Sequence, residues 1–174
     1  MIKKISVLVF LIAVLFLGCE RDDICSEATA TTPHLIIRFY DVNDTDEPKT
    51  VRQLTVTGQG VEDEIVSSTT TDSILLPLRF QNEGETISTF FELKKDTDYD
   101  TNGNDNNASN TDVIEVSYTP EFIYVSRACG YKSIFAGTEI DVIEADDDDV
   151  WIINALTVNT TIEDEKAAHI NIYH

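Results

Sequence analysis

Positive charge is scarce in this sequence: 12 of its 174 residues are Lys or Arg, against 32 Asp or Glu, for a formal net charge of −20. So acidic a surface repels nucleic acid and anionic lipid headgroups, because both are polyanions, and DNA or RNA is excluded as a partner. Histidine is scarcer still. His34, His169 and His174 have no close spacing and make no zinc site. No Ser or Cys sits in a nucleophile elbow beside them, so no catalytic constellation is visible and no enzyme activity is expected. A hydrolase site assembled by the fold from dispersed residues is the less favoured alternative. Helical signals are also missing, since no window combines three-and-four apolar spacing with caps; residues 163–168 suggest one short turn. No internal repeat is visible.

One long apolar run is present. Met1-Ile2-Lys3-Lys4 is a short basic start, and Ile5 to Leu17 is apolar except for Ser6, which is the pattern of a secretory signal. The run covers about 20 Å at the helical rise, short of the roughly 30 Å hydrocarbon core, so removal is expected rather than a permanent span. Phe16-Leu17-Gly18-Cys19 places a small residue before a cysteine and resembles the lipobox of bacterial lipoproteins, with Phe16 and Leu17 bulkier than that motif usually carries. Cleavage there frees Cys19 for lipidation by diacylglycerol and a palmitate-like acyl chain, and two or three chains anchor far more durably than one. Plain secretion with an ordinary Cys19 thiol is the alternative. The expected organisation is a signal peptide over 1–18, the lipidated cysteine and a short acidic tether over 19–33, and one domain over 34–174. Losing Lys3 and Lys4 and no acid takes the formal charge of −20 to −22.

The mature chain alternates apolar and polar residues over short stretches, the signature of half-buried strands. Strands are expected near 34–42, 51–58, 73–80, 87–94, 112–118, 122–128, 139–144, 150–158 and 169–173. Ile74, Leu76, Leu78 and Phe80 alternate most cleanly, and Pro77 among them suggests a sheet edge, where a missing donor is tolerated. Eight or nine short strands around one core predict an all-β fold, an antiparallel β-sandwich, with a closed β-barrel as runner-up.

The polar insertion at 96–111 contains the sharpest local motif. Asp98, Asp100 and Asn102 followed by Gly103 put oxygen ligands at positions 1, 3 and 5 and Gly at 6 of an EF-hand-type calcium loop, with the Asn104 carbonyl next. Position 12 is Ser109 instead of the bidentate Glu, so Asp105 or Asp112 would have to substitute and the site would be weak. A solvated loop rich in turn formers is the alternative, with no cofactor at all. A second acid run, Asp146 to Asp149, reads first as a mutually repelling loop.

Cys25 and Cys129 remain once Cys19 is lipidated, and in an oxidising envelope compartment they form the one internal pair available; two free thiols are the alternative. Only Glu20 to Ile24 separate the anchor from Cys25, a reach of at most about 20 Å. A bridge would hold the Cys129 end of the domain near the membrane.

Cys19-Glu-Arg-Asp-Asp-Ile-Cys25, Leu35-Ile-Ile-Arg-Phe-Tyr-Asp41, Tyr124-Val-Ser-Arg-Ala-Cys-Gly-Tyr-Lys132, Trp151-Ile152 and His169-Ile-Asn-Ile-Tyr173 together resemble a set of Bacteroidota envelope lipoproteins, the domain of unknown function family 6452. The resemblance implies lipidation at Cys19 and a Cys25–Cys129 bridge, and it brings no activity and no catalytic residues. Glu20-Arg21-Asp22-Asp23 is similar to signals for display on the outer face of the outer membrane, with Arg where some such signals have an acid.

Arg38 and Arg127 fall inside strand patterns of an acid-rich chain. A strand arginine pairs with a neighbouring carboxylate or covers apolar surface with its stem; the functional version makes the two a recognition pair for an anionic group. Trp151 and Tyr124 belong first to the core. The expected function is a lipid-anchored, non-catalytic binding or structural module of the outer membrane, displayed on the cell surface or facing the periplasm, with other envelope proteins as partners. A calcium-stabilised adhesion module is the alternative.

Overall fold

Leu35, Ile37 and Phe39 are wholly buried while Arg38 between them is exposed, because alternate side chains of an extended chain leave on opposite faces. The same alternation recurs along the chain in a computed structural model that describes residues 24–26, 29, 31–97, 109–143 and 149–174. Nine strands follow: β1 Leu35–Tyr40, β2 Val51–Gly58, β3 Glu64–Thr71, β4 Ser73–Leu76, β5 Ile87–Lys95, β6 Asn110–Ser126, β7 Gly130–Ile143, β8 Asn154–Thr157 and β9 Ile170–Tyr173. No helix occurs among the described residues.

The strands form two sheets, one of four in the order β4-β1-β9-β8 and one of five in the order β3-β2-β5-β6-β7. The fold is the expected β-sandwich; both sheets have open edges, so the barrel alternative is not realised. β1 and β9 pair in parallel at the centre of the smaller sheet, with Ile37 opposite Ile170 and Arg38 opposite Asn171. Phe39, Leu54, Leu93, Ile114, Phe135 and Ile172 are among the buried side chains from the two sheets that share one core.

Two compact units divide the chain: Ala30–Ile123 with Lys132–His174, and Met1–Thr29 with Tyr124–Tyr131. The first carries the sandwich core. The second contains the β6–β7 turn.

The expected strand boundaries change in five places, the simplest being β8, which covers only Asn154–Thr157 of the expected 150–158. The stretches 112–118 and 122–128 are parts of one strand, β6, which runs through Pro120 and ends at Ser126. Arg127 therefore lies in a turn and not in a strand; Ser126 Oγ accepts the Cys129 N–H at 3.0 Å and Gly130 takes φ +70°, which reverses the chain there. β7 begins at Gly130, well before 139. β4 stops at Leu76, directly before Pro77, and it is an edge strand as the proline suggested. β3 was not expected at all: Glu-Ile-Val-Ser-Ser-Thr-Thr-Thr lies mostly exposed along the edge of the larger sheet, so it carries no apolar alternation to read.

Candidate functional site

The outward face of the smaller sheet brings four residues into one row. Register places Ser73 of β4 opposite Arg38 of β1, Arg38 opposite Asn171 of β9, and Asn171 opposite Leu156 of β8. Each points away from the core because its neighbours along the strand point in. Leu156 in the row and Leu75 and Val158 beside it are exposed apolar side chains. The face is lined further by Ile36, Tyr40 and the Glu165–Ala168 segment, and encloses a cleft of about 610 Å³.

One rim of the cleft is held by a clamp. Glu165 Oε1 accepts the His34 backbone N–H at 2.8 Å and lies 2.7 Å from His34 Nδ1. The Glu165 carboxyl is held below its ordinary value, first by the His34 backbone N–H and then by its imidazole. Lys166 Nζ lies 2.6 Å from Asp164 Oδ2. The Arg38 guanidinium differs from these, making no hydrogen bond or ion pair among the described residues, and no carboxylate stands opposite it on either neighbouring strand. Asn171 Oδ1 is buried beside it with no hydrogen-bond partner among the described residues. The row thus offers the five donors of a guanidinium and one unmatched amide oxygen, among apolar side chains on one side and Glu165 and Lys166 on the other.

Arg127 belongs to the other unit, exposed in its turn. Cys25 and Cys129 are bonded, with S–S 2.03 Å and Cα–Cα 4.8 Å, in the same unit. Cys19, Asp98, Asp100, Asn102, Asn104, Asp105 and Asp146 to Asp148 lie outside the described residues. Asp112 is buried, and its Oδ2 accepts the Trp151 and Ile152 N–H groups. Among the described residues no three His, Cys, Asp or Glu side chains are grouped to hold a metal ion. Trp151 is in the core as expected, but Tyr124 is 57 % exposed, because β6 has by then run into the smaller unit.

The imidazoles serve the fold. His169 is buried, its backbone N–H donating to Ile36 O at 2.9 Å and its Nδ1 accepting the Ile36 N–H at 3.0 Å. Burial lowers its pKa, against a smaller opposing pull from the Asp164 backbone. His174 is lowered by burial too and stands edge-on to Phe39 and Trp151. His34 precedes β1, Arg38 lies within it and His169 bonds to Ile36 of it, whereas Ser73 and Asn171 carry no motif of their own in the sequence. The alternation of Asn171 and Tyr173 with Ile170 and Ile172 was the available signal, but alternation does not say which strand lies alongside.

A model described as a family of unknown function (DUF6452) matches residues 53–174, from β2 to the end of the chain and so without β1, Arg38 or Cys25. No curated protein and no solved structure matches the chain.

Proposed function

The chain belongs to the DUF6452 family of unknown function, and we propose that it is a lipid-anchored, non-catalytic binding module of the outer membrane. The anchor is Cys19, freed by removal of residues 1–18, and the Glu20 to Asp23 stretch directs display on the cell surface. The binding site is the outward face of the smaller sheet, and its ligand is an anion carried on an apolar body.

One observation carries this reading: Arg38 has no carboxylate partner among the described residues of a chain of net charge −20. With 32 acids available, an arginine held in the middle of a sheet row finds no ion pair there. A planar guanidinium presents paired N–H donors that match a carboxylate or phosphate bidentately. Leu75, Leu156 and Val158, all exposed, supply apolar contact around that charge. The three histidines are occupied with backbone, carboxylate and ring contacts, which supports a binding role over a hydrolytic one.

The test is fluorescence titration of the full-length protein with anilinonaphthalene sulfonate, an anion on an apolar body, for the wild type and Arg38→Gln. Binding at least about tenfold weaker in the variant, with an unchanged melting curve, is expected for loss of a charge-assisted pair. Equal affinity would overturn the site. Intact mass of the membrane-extracted protein checks the acyl chains on Cys19, and protease shaving of whole cells decides between surface display and a periplasmic orientation.

A further inference from the structure

The tip of the β6–β7 turn has the opposite surface chemistry from the rest of the chain. In sequence, residues 122–138 contain no Asp or Glu, the longest such stretch after Cys19. Within the smaller unit Tyr124 and Tyr131 are 57 % and 69 % exposed, and their rings meet edge to face at 5.4 Å. Ile24, beside the bridging Cys25, is 83 % exposed. Arg127 is exposed in the turn and makes no ion pair among the described residues. A shallow cleft of about 350 Å³ there is lined by Ile24, Thr29, Ser126 and Arg127, among others.

Two exposed tyrosines, an exposed isoleucine and an exposed arginine form the amphipathic mixture that settles at a membrane–water interface, where rings lie at headgroup depth and a basic side chain meets phosphate. In water the same patch is a liability. We propose that this tip rests on the bilayer surface, with Tyr124, Tyr131 and Ile24 at headgroup depth and Arg127 on a lipid phosphate. The proposal rests on lipidation at Cys19 and goes beyond it. Two facts select a bilayer over a protein as the occupant. The covalent path from the anchor to the tip is short: five residues, Glu20 to Ile24, reach Cys25, at most about 20 Å, and Cys25 is bonded to Cys129 in the turn itself. Charge is the second, because phosphate repels a chain of net charge −20 everywhere that acids are dense, and residues 122–138 of the turn carry none, the nearest in sequence to Cys25 being Glu20, Asp22, Asp23 and Glu27 of the tether.

The experiment uses the full chain in its own membranes with photoreactive benzoylphenylalanine in place of Tyr131, and, as control, in place of Leu75 on the sandwich. Irradiation is followed by intact mass, which reads acylation of Cys19 and the adduct together. Phospholipid adducts at position 131 and none at 75 are expected, and Arg127→Glu should lower the yield about fivefold. An acylated chain whose position 131 gives only protein adducts, or none, overturns the docking and leaves the anchor standing. An unacylated chain overturns the anchor; adducts at 131 on added vesicles of phosphatidylethanolamine and phosphatidylglycerol then keep the tip surface, and their absence removes both.

Discussion

Asp112 and Trp151 are joined through the backbone: one carboxylate oxygen, Oδ2 of Asp112, accepts the Trp151 N–H at 2.9 Å and the Ile152 N–H at 2.7 Å. Asp112 lies on β6 of the larger sheet, and Trp151 leads into β8 of the smaller one. The Trp151 indole N–H donates to Leu93 O at 3.2 Å, and its ring lies 6.4 Å from that of Phe39. A buried carboxylate thus ties the crossing segment to the sheet it leaves.

Removing that acceptor should be costly. Asp112→Ala strands two buried N–H groups, each costing about 1–3 kcal/mol, so a loss of about 2–5 kcal/mol is expected in urea unfolding. Asp112→Asn keeps one acceptor oxygen and should lose less. Equal midpoints for both variants and the wild type would refute the role.

The histidines predict a pH dependence with a definite sign. Burial lowers His169 and His174 below their ordinary value of 6.5, so below that value the unfolded chain binds protons that the folded chain refuses. Stability therefore falls as pH drops from 6.5 until the folded imidazoles also titrate. Protonation at His169 Nδ1 would also remove the acceptor of the Ile36 N–H. Glu165 acts at lower pH: its lowered carboxyl contributes stability above its ordinary 4.5 that is lost as pH falls further. Urea midpoints at about pH 7.5 and about pH 5.5 should differ, and the difference should shrink in His169→Gln. No difference in the wild type would refute the assignment.

The disulfide closes a separation of 104 residues. Replacing both Cys25 and Cys129 by Ser should lower unfolding stability by about 2–4 kcal/mol, the usual worth of a native bridge. Mobility on reducing and non-reducing gels should differ for the wild type and not for the double variant.

Two phenylalanines give a contrast between core and surface. Phe135 is fully buried, edge-on to Tyr118 with ring centroids 5.1 Å apart, and exchanges backbone hydrogen bonds with Ile162. Phe135→Ala should cost about 3–5 kcal/mol. Phe80, paired edge-on with Phe122 at 6.4 Å, is 53 % exposed, and Phe80→Ala should cost about 1 kcal/mol or less. Chemical denaturation of both variants checks the ratio.

Much of this architecture is legible residue by residue. Alternation along Leu35–Tyr40 and Ile170–Tyr173 marks both strands and correctly assigns their inward and outward faces. It fails at β3, where Ser and Thr fill an exposed edge and no burial pattern exists to be read. It fails also at Tyr124, which lies in β6 but is exposed, and at Arg127, where the strand pattern continues past Ser126 although the chain turns. Local periodicity reports how side chains alternate, not where a hairpin reverses. Asp112 illustrates a different limit. Its nearness to the Asn- and Asp-rich loop suggested a stand-in ligand there, whereas the two N–H groups on its Oδ2 lie 39 and 40 residues further on, out of reach of any local pattern.

By itself the sequence determined the all-β class, the acid-rich composition, the apolar run before Cys19 and the acid-free stretch around Cys129, since each is a property of composition or short-range pattern. Only the tertiary structure decided that β1 and β9 pair in parallel, that Arg38 meets Ser73 and Asn171 instead of a carboxylate, and that Asp112 serves Trp151. Those are contacts between residues far apart in the chain, and they follow from sheet register and from the packing of one layer on another, which no local window contains.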